Sequence, residues 1–178
     1  DEKQQSAVLN KLIDIYALSG DYAKALEHSE QLLPIAQKLG DKSLEGVALF
    51  RLGRYYDAVG ETRKGLSYAE KSAKLLTETG DRAGAGSALN SAGVMNYNLG
   101  EIEKALEIYN RVLALRREVG DRRGEAYTLI NLGYAYSEGG EKRKSVELYE
   151  QALDRAEQIN ESRAKRRVIN KLAYVWHD

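Results

Sequence analysis

The stretch LINLGYAYSEGG, residues 129–140, reads as helix at every position but one. Leu129, Leu132 and Tyr136 recur at spacings of three and four, the pattern of a single buried helical face. Gly133 stands among them, although a glycine inside a helix costs about 1 kcal/mol relative to alanine. A second helix crossing so closely that no side chain fits between the two would account for it.

The rest of the chain repeats this arrangement. Shifted by 40 residues, the sequence aligns with itself. Gly20, Gly60, Gly100 and Gly140 coincide, each followed by an acid (Asp21, Glu61, Glu101, Glu141). Gly40, Gly80 and Gly120 also coincide, each followed by an aspartate. Lys24, Lys64, Lys104 and Lys144 form another row, as do Leu9, Leu49, Leu89, Leu129 and Ile169. Tyr16, Tyr56, Tyr136 and Trp176 align, with Asn96 in place of the ring, and the mid-helix glycine recurs as Gly53, Gly93 and Gly133.

Glycine just past a helix end closes the helix, and the acid after it is placed to cap the next one. The spacing predicts first-type helices over 3–19, 43–59, 83–99, 123–139 and 163–177, and second-type helices over 22–39, 62–79, 102–119 and 142–159. Turns this short make neighbouring helices antiparallel. The expected domain is a single array over 1–178: repeats at about 1–40, 41–80, 81–120 and 121–160, then a terminal helix, 161–178. Ala25, Gly65, Ala105 and Ser145 on the second helices are the expected partners of the glycine row. Pro34 falls inside a second-type helix, removes its bond to the Glu30 carbonyl and should bend it.

Composition narrows the function. Lys+Arg and Asp+Glu are both 27 in 178 residues, so the basic excess of a nucleic-acid binder is missing. The absence of cysteine excludes a disulfide framework, a thiolate metal site and a cysteine nucleophile, and fits a cytoplasmic setting. No apolar run reaches the roughly 20 residues of a membrane span. No signal-peptide pattern opens the chain, and its start at Asp1 reads as part of a longer protein. The two histidines, His28 and His177, lie far apart, so neither a paired-histidine metal site nor any cofactor is expected. GDRAGAG at 80–86 has no preceding strand and no Gly-Lys-Ser/Thr, so it is a turn and not a phosphate loop. No catalytic residue is assigned. The basic runs RREVGDRR (116–123) and RAKRR (163–167) read as solvated faces, with an anion-binding end surface as the alternative.

The pattern resembles the tetratricopeptide repeat family. Its signature of a large residue, Leu-Gly, Tyr, then Ala, an aromatic and Ala reads here as Leu129, Leu132-Gly133, Tyr136, Ser145, Tyr149 and Ala152. Repeat 2 reads Leu49, Leu52-Gly53, Tyr56, Gly65, Ala69, Ser72, and repeat 3 reads Leu89, Ala92-Gly93, Asn96, Ala105, Tyr109, Val112. The 40-residue unit resembles the long-unit subclass, with GD between repeats.

The resemblance implies an all-α, right-handed solenoid of about 4.5 stacked hairpins with a concave groove lined by the first-type helices. It implies a non-enzymatic module that binds a protein or peptide partner, within a larger regulatory or scaffold protein. Carried over, the groove residues are Asn10, Lys11 and Asp14; Phe50, Arg51 and Arg54; Asn90, Ser91 and Val94; Ile130, Asn131 and Tyr134; and Asn170, Lys171 and Tyr174. Val47, Ser87, Tyr127 and Arg167 lie one turn earlier, Asp57 and Tyr97 one turn later. The set mixes amides, arginines and aromatics, residue types that dominate interfaces. Asn131, Arg167 and Lys171 match three positions of the family's carboxylate-gripping subclass, whereas Asn90 and Val94 replace its other Lys and Asn. The alternative function is a spacer or oligomerisation element. On that reading Ile169, Leu172 and Trp176 form an apolar stripe on the last helix and could support a homodimer.

Overall fold

The computed structural model describes the backbone of residues 1–177; the side chains of Tyr174, Trp176 and His177 lie outside the described set, and with them the sequence expectations for Tyr174 and Trp176. Nine helices and no strand occur among the described residues: α1 Glu2–Ser19, α2 Tyr22–Leu39, α3 Lys42–Ala58, α4 Thr62–Glu78, α5 Arg82–Asn98, α6 Ile102–Glu118, α7 Arg122–Glu138, α8 Lys142–Gln158 and α9 Ser162–His177. Each lies within one residue of its expected start and end. Two compact units, Asp1–Leu99 and Gly100–Asp178, divide the chain.

Turn chemistry separates the helices. All seven turn glycines have positive φ, and in the eighth turn Asn160 adopts φ 53°. Asparagine is among the few non-glycine residues that tolerate this region. The aspartates Asp21, Asp41, Asp81 and Asp121 cap as expected, accepting from backbone N–H groups three residues on, and Asp1 caps α1 by accepting from Lys3 N–H. The expectation fails at Glu61, Glu101 and Glu141, which make no side-chain cap bond. Glutamate's extra methylene carries the carboxylate past the N–H groups that aspartate reaches. Glu101 pairs with Lys104 at 3.1 Å instead.

In the first unit, Leu9, Ile13, Ala25, Leu32, Ala48 and Tyr55 form a buried cluster across α1–α3. α2 runs unbroken through Pro34. The close crossing inferred from the glycine row is present between α3 and α4. A Cβ on Gly65 would lie 2.6 Å from the Gly53 carbonyl oxygen, and one on Gly53 would lie 3.1 Å from the backbone of Gly65 and Ala69. In the second unit the expected partner changes. Gly133 faces the Tyr149 ring, 2.7 Å from where its Cβ would be, and not Ser145. There the glycine makes room for an aromatic.

The lysine row acquires a purpose. Lys24, Lys64 and Lys144 lie over the rings of Tyr16, Tyr56 and Tyr136 at 5.2, 3.9 and 3.8 Å. Each such cation–π contact ties the end of a first helix to the start of its second.

Candidate functional site

In the first unit, α3 presents Phe50, Arg51 and Arg54, and α5 presents Asn90, Ser91, Val94 and Tyr97, all half-buried except Arg54, which is exposed. Arg51 is engaged with α1: it donates to the Asn10 carbonyl at 3.3 Å and pairs with Asp14 at 3.0 Å. Arg54 instead sits over the faces of Phe50 and Tyr55, at 5.7 and 5.9 Å. Stacking holds the guanidinium in place while leaving its N–H edge available. Arg54 and Val94 line a cavity of about 290 Å³ together with Tyr22, Tyr55, Asp57, Ala58, Ser91 and Met95. One wall is apolar, and the guanidinium, the carboxylate and the hydroxyl supply donors and acceptors suited to a peptide backbone beside an apolar side chain.

Tyr22 and Tyr55, stacked at 6.3 Å, were missed as site residues by sequence reasoning. Tyr55 belongs to a core row, and only Tyr22, an aromatic directly after a Gly-Asp turn, carried a local signal.

In the second unit, α7 supplies Tyr127, Asn131 and Tyr134, and α9 supplies Arg167 and Lys171. The Lys171 ammonium lies 3.6 Å above the Tyr134 ring. Ile130 does not face a groove: it is fully buried, so the carried-over position is corrected to core. In the run 116–123, Arg116 departs from the solvated reading. Arg116 is 8% exposed and donates to the Gly124 carbonyl and, at 2.8 Å, to Thr128. Arg117 Nε donates to Glu125 at 2.7 Å, and Arg123 pairs with Glu161 at 3.1 Å. Arg155 Nε approaches Glu125 at 3.0 Å as an ion pair without hydrogen-bond alignment. Arg116 is thus an internal fastener, whereas Arg117 and Arg123, with side chains 52% and 63% exposed, pair with carboxylates on a face that stays solvated, as does exposed Arg122.

Tyr149 is fully buried, and neither its hydroxyl nor Ser145 Oγ finds an aligned partner among the described residues. Burial pushes the Tyr149 phenol up to about 12 and moves Tyr109 the same way. The folded chain therefore keeps a proton that the unfolded chain releases near pH 10. The stabilisation is complete below pH 10 and is lost as pH rises through about 12. Tyr149→Phe should make the alkaline fall in stability shallower, by a slope of up to about 1.4 kcal/mol per pH unit. At neutral pH it should leave stability unchanged or raise it by about 1 kcal/mol, since an unsatisfied hydroxyl is removed. Urea melts at about pH 7 and about pH 11 check both signs.

The family follows from the repeat geometry and from one comparison. The model of the tetratricopeptide repeat matches residues 4–78 and 84–158. This chain belongs to the tetratricopeptide repeat family. Curated protein sequences provide no match. Solved tetratricopeptide-type folds do. BtubC (BKLC) from P. vanneervenii is 21% identical at TM-score 0.85, covering 99% of this chain and 75% of that one. A Rap protein complexed with competence and sporulation factor is 17% identical at TM-score 0.86, covering 94% and 47%. A signal-transduction ATPase with a tetratricopeptide repeat sensor, from Pyrococcus horikoshii, is 21% identical at TM-score 0.82, covering 94% and 26%. The chain thus spans under half the length of the last two.

The family is generally a non-catalytic interaction fold. Among the described residues of this tetratricopeptide chain, no helix is long and apolar enough to cross a membrane. No group of three metal-binding side chains occurs among the described residues.

Proposed function

We propose that this chain is a non-enzymatic recognition module, part of a larger regulatory or scaffold protein, that holds an extended peptide segment along its first-type helices. The observation that carries the reading is the cavity bounded by Arg54, Tyr22, Tyr55 and Val94. Arg54 and the two rings are held by mutual stacking before any ligand arrives, which lowers the ordering cost of binding. The solved structures of similar fold include Rap proteins in complex with competence and sporulation factor or with the Phr* peptide, which agrees with peptide binding on this scaffold. In the second unit Tyr127, Asn131, Tyr134, Arg167 and Lys171 form a candidate set of their own, and Phe50, Asn90 and Tyr97 flank the cavity-lining residues of the first unit in sequence.

Selection of a displayed random-peptide library on the full chain tests this. Enriched peptides should bind Arg54→Ala at least about tenfold more weakly, with the melting temperature unchanged. Tyr134→Ala reports on the second unit in the same way. Failure to enrich any peptide, or equal binding by both variants, overturns the reading.

The alternative, oligomerisation through α9, has the 55% exposure of Ile169 in its favour. An isologous dimer on that face would however gather the exposed Arg166 of both copies beside Ile169, with no acid on α9 to offset them.

A further inference from the structure

Two arginines on α3 meet different surroundings, and the repeat supplies the standard for comparing them. Arg51 is paired with Asp14 of α1 at 3.0 Å. Forty residues on, the same two positions are Ser91 of α5 and Arg54 of α3. Where the first crossing joins a cation to an acid, the second sets a serine against a cation. The Ser91 hydroxyl donates to the Ser87 carbonyl at 3.2 Å, so it does not replace the missing acid. Ser91 and Arg54 both line the cavity of about 290 Å³, which lies where the array exchanges a long side chain for a short one.

Arg54 keeps its charge without a counter-ion. Among the described residues no carboxylate forms an ion pair with it, and Asp57, half-buried in the same cavity, forms none either. Opposite charges three residues apart on a helix are placed to pair. Here the faces of Phe50 and Tyr55 take the guanidinium instead. The α3 wall therefore offers one unpaired cation and one unpaired anion, while Val94 and Met95 line the cavity from α5.

We infer that the segment bound here is an internal tripeptide in extended conformation, an apolar residue flanked by an acid and a base. Its acid meets Arg54, its base meets Asp57, and the apolar side chain between them packs on Val94 and Met95. This rests on the peptide-binding reading above and adds the sequence that the cavity selects. Positions three apart on a helix hold their Cβ atoms about 5–6 Å apart. Alternate residues of an extended chain lie about 6.6 Å apart on one face, and the residue between them points to the other. The charged pair thus faces α3 while the apolar residue faces α5. A wholly acidic segment would satisfy Arg54 but set a like charge against Asp57, and a wholly basic one would reverse the conflict. Arg51 does not compete for the acid, because Asp14 already neutralises it.

The displayed library selected on the full chain supplies the probe, once peptides that Arg54→Ala retains are removed. The remaining set should carry Asp or Glu two residues from Lys or Arg, with an apolar residue between. The commonest peptide is then synthesised with a fluorescein label, acetylated and amidated so that no terminal charge replaces a side chain. In anisotropy titrations, exchange of its acid for the amide should weaken binding to the wild-type chain at least about tenfold. The same exchange should change binding to Arg54→Ala less than about twofold, since the partner is already gone. Exchange of its base for glutamine should follow the same rule with Asp57→Ala. Arg54→Glu should prefer the peptide whose acid is replaced by lysine, a reversal that a folding defect cannot produce. If no peptide survives the removal step, the peptide-binding reading falls and the inference falls with it. Enrichment without the paired charges overturns the inference alone and leaves peptide binding standing. So does an acid whose exchange costs as much on Arg54→Ala as on wild type, or a base whose exchange is indifferent to Asp57→Ala.

Discussion

Glu125→Ala should lower the unfolding free energy by about 2–3 kcal/mol, among the largest losses expected from any single charged residue of the chain. The carboxylate is 4% exposed and receives Arg117 at 2.7 Å and Arg155 at 3.0 Å. Removing it strands two guanidiniums unequally. The Arg155 side chain is 29% exposed and keeps little access to water, whereas Arg117 at 52% can turn outwards. The expected order of destabilisation is therefore Glu125→Ala, then Arg155→Ala, then Arg117→Ala, the last within the roughly 1 kcal/mol of exposed pairs. Glu138→Ala, at the exposed end of the same helix, should stay within about 0.5 kcal/mol of wild type. Urea denaturation of the four variants measures the series. A Glu125→Ala chain as stable as the Glu138→Ala control would show that the network forms without holding the second unit together.

That network also marks where sequence reading stopped. Helix positions were legible because leucine rows, turn glycines and capping aspartates are local signals that agree with one another. The burial of Arg116 and the partners of RREVGDRR were not legible, because a local window shows charges and not distant partners. Arg155 and Glu161, which complete the network, lie 30 residues or more from Glu125 and Arg123. Ile130 was misplaced for a related reason. A groove position transferred from a family average ignores that isoleucine, given a choice, buries itself. At the candidate site exposed Arg54 and half-buried Val94 were found from positions carried over from the family resemblance. Tyr55 was not, because one ring serves core and cavity wall together. The glycine row was read correctly as a sign of close approach, but its meaning depends on a second row. Where that row supplies Tyr149, the glycine accommodates a ring. Where it supplies Ala69, the helices close until backbone meets backbone.

The second case predicts the other large effect. Gly65→Val should cost about 3 kcal/mol or more, even though valine has the better helix propensity by a few tenths. The new Cβ would lie 2.6 Å from the Gly53 carbonyl oxygen and 3.0 Å from Asp57 N. Both are backbone atoms of α3, which cannot rotate aside, so α4 must move away as a body. That movement loosens the contacts of Leu52 and Tyr56, which are 1% and 6% exposed. Gly65→Ala meets the same atoms with less bulk and should fall between wild type and Gly65→Val. Gly53→Ala, with nearest atoms at 3.1 Å, should be milder again. Gly133→Ala differs in kind, because its obstacle is the Tyr149 ring. A smaller neighbour relieves that clash, so Tyr149→Leu should show favourable coupling with Gly133→Ala in a double-mutant cycle, while no substitution at Ala69 rescues Gly65→Val. If Gly65→Ala melted at or above the wild-type temperature, propensity would outweigh the steric constraint, and the crossing of α3 and α4 would owe its closeness to something other than the missing side chains.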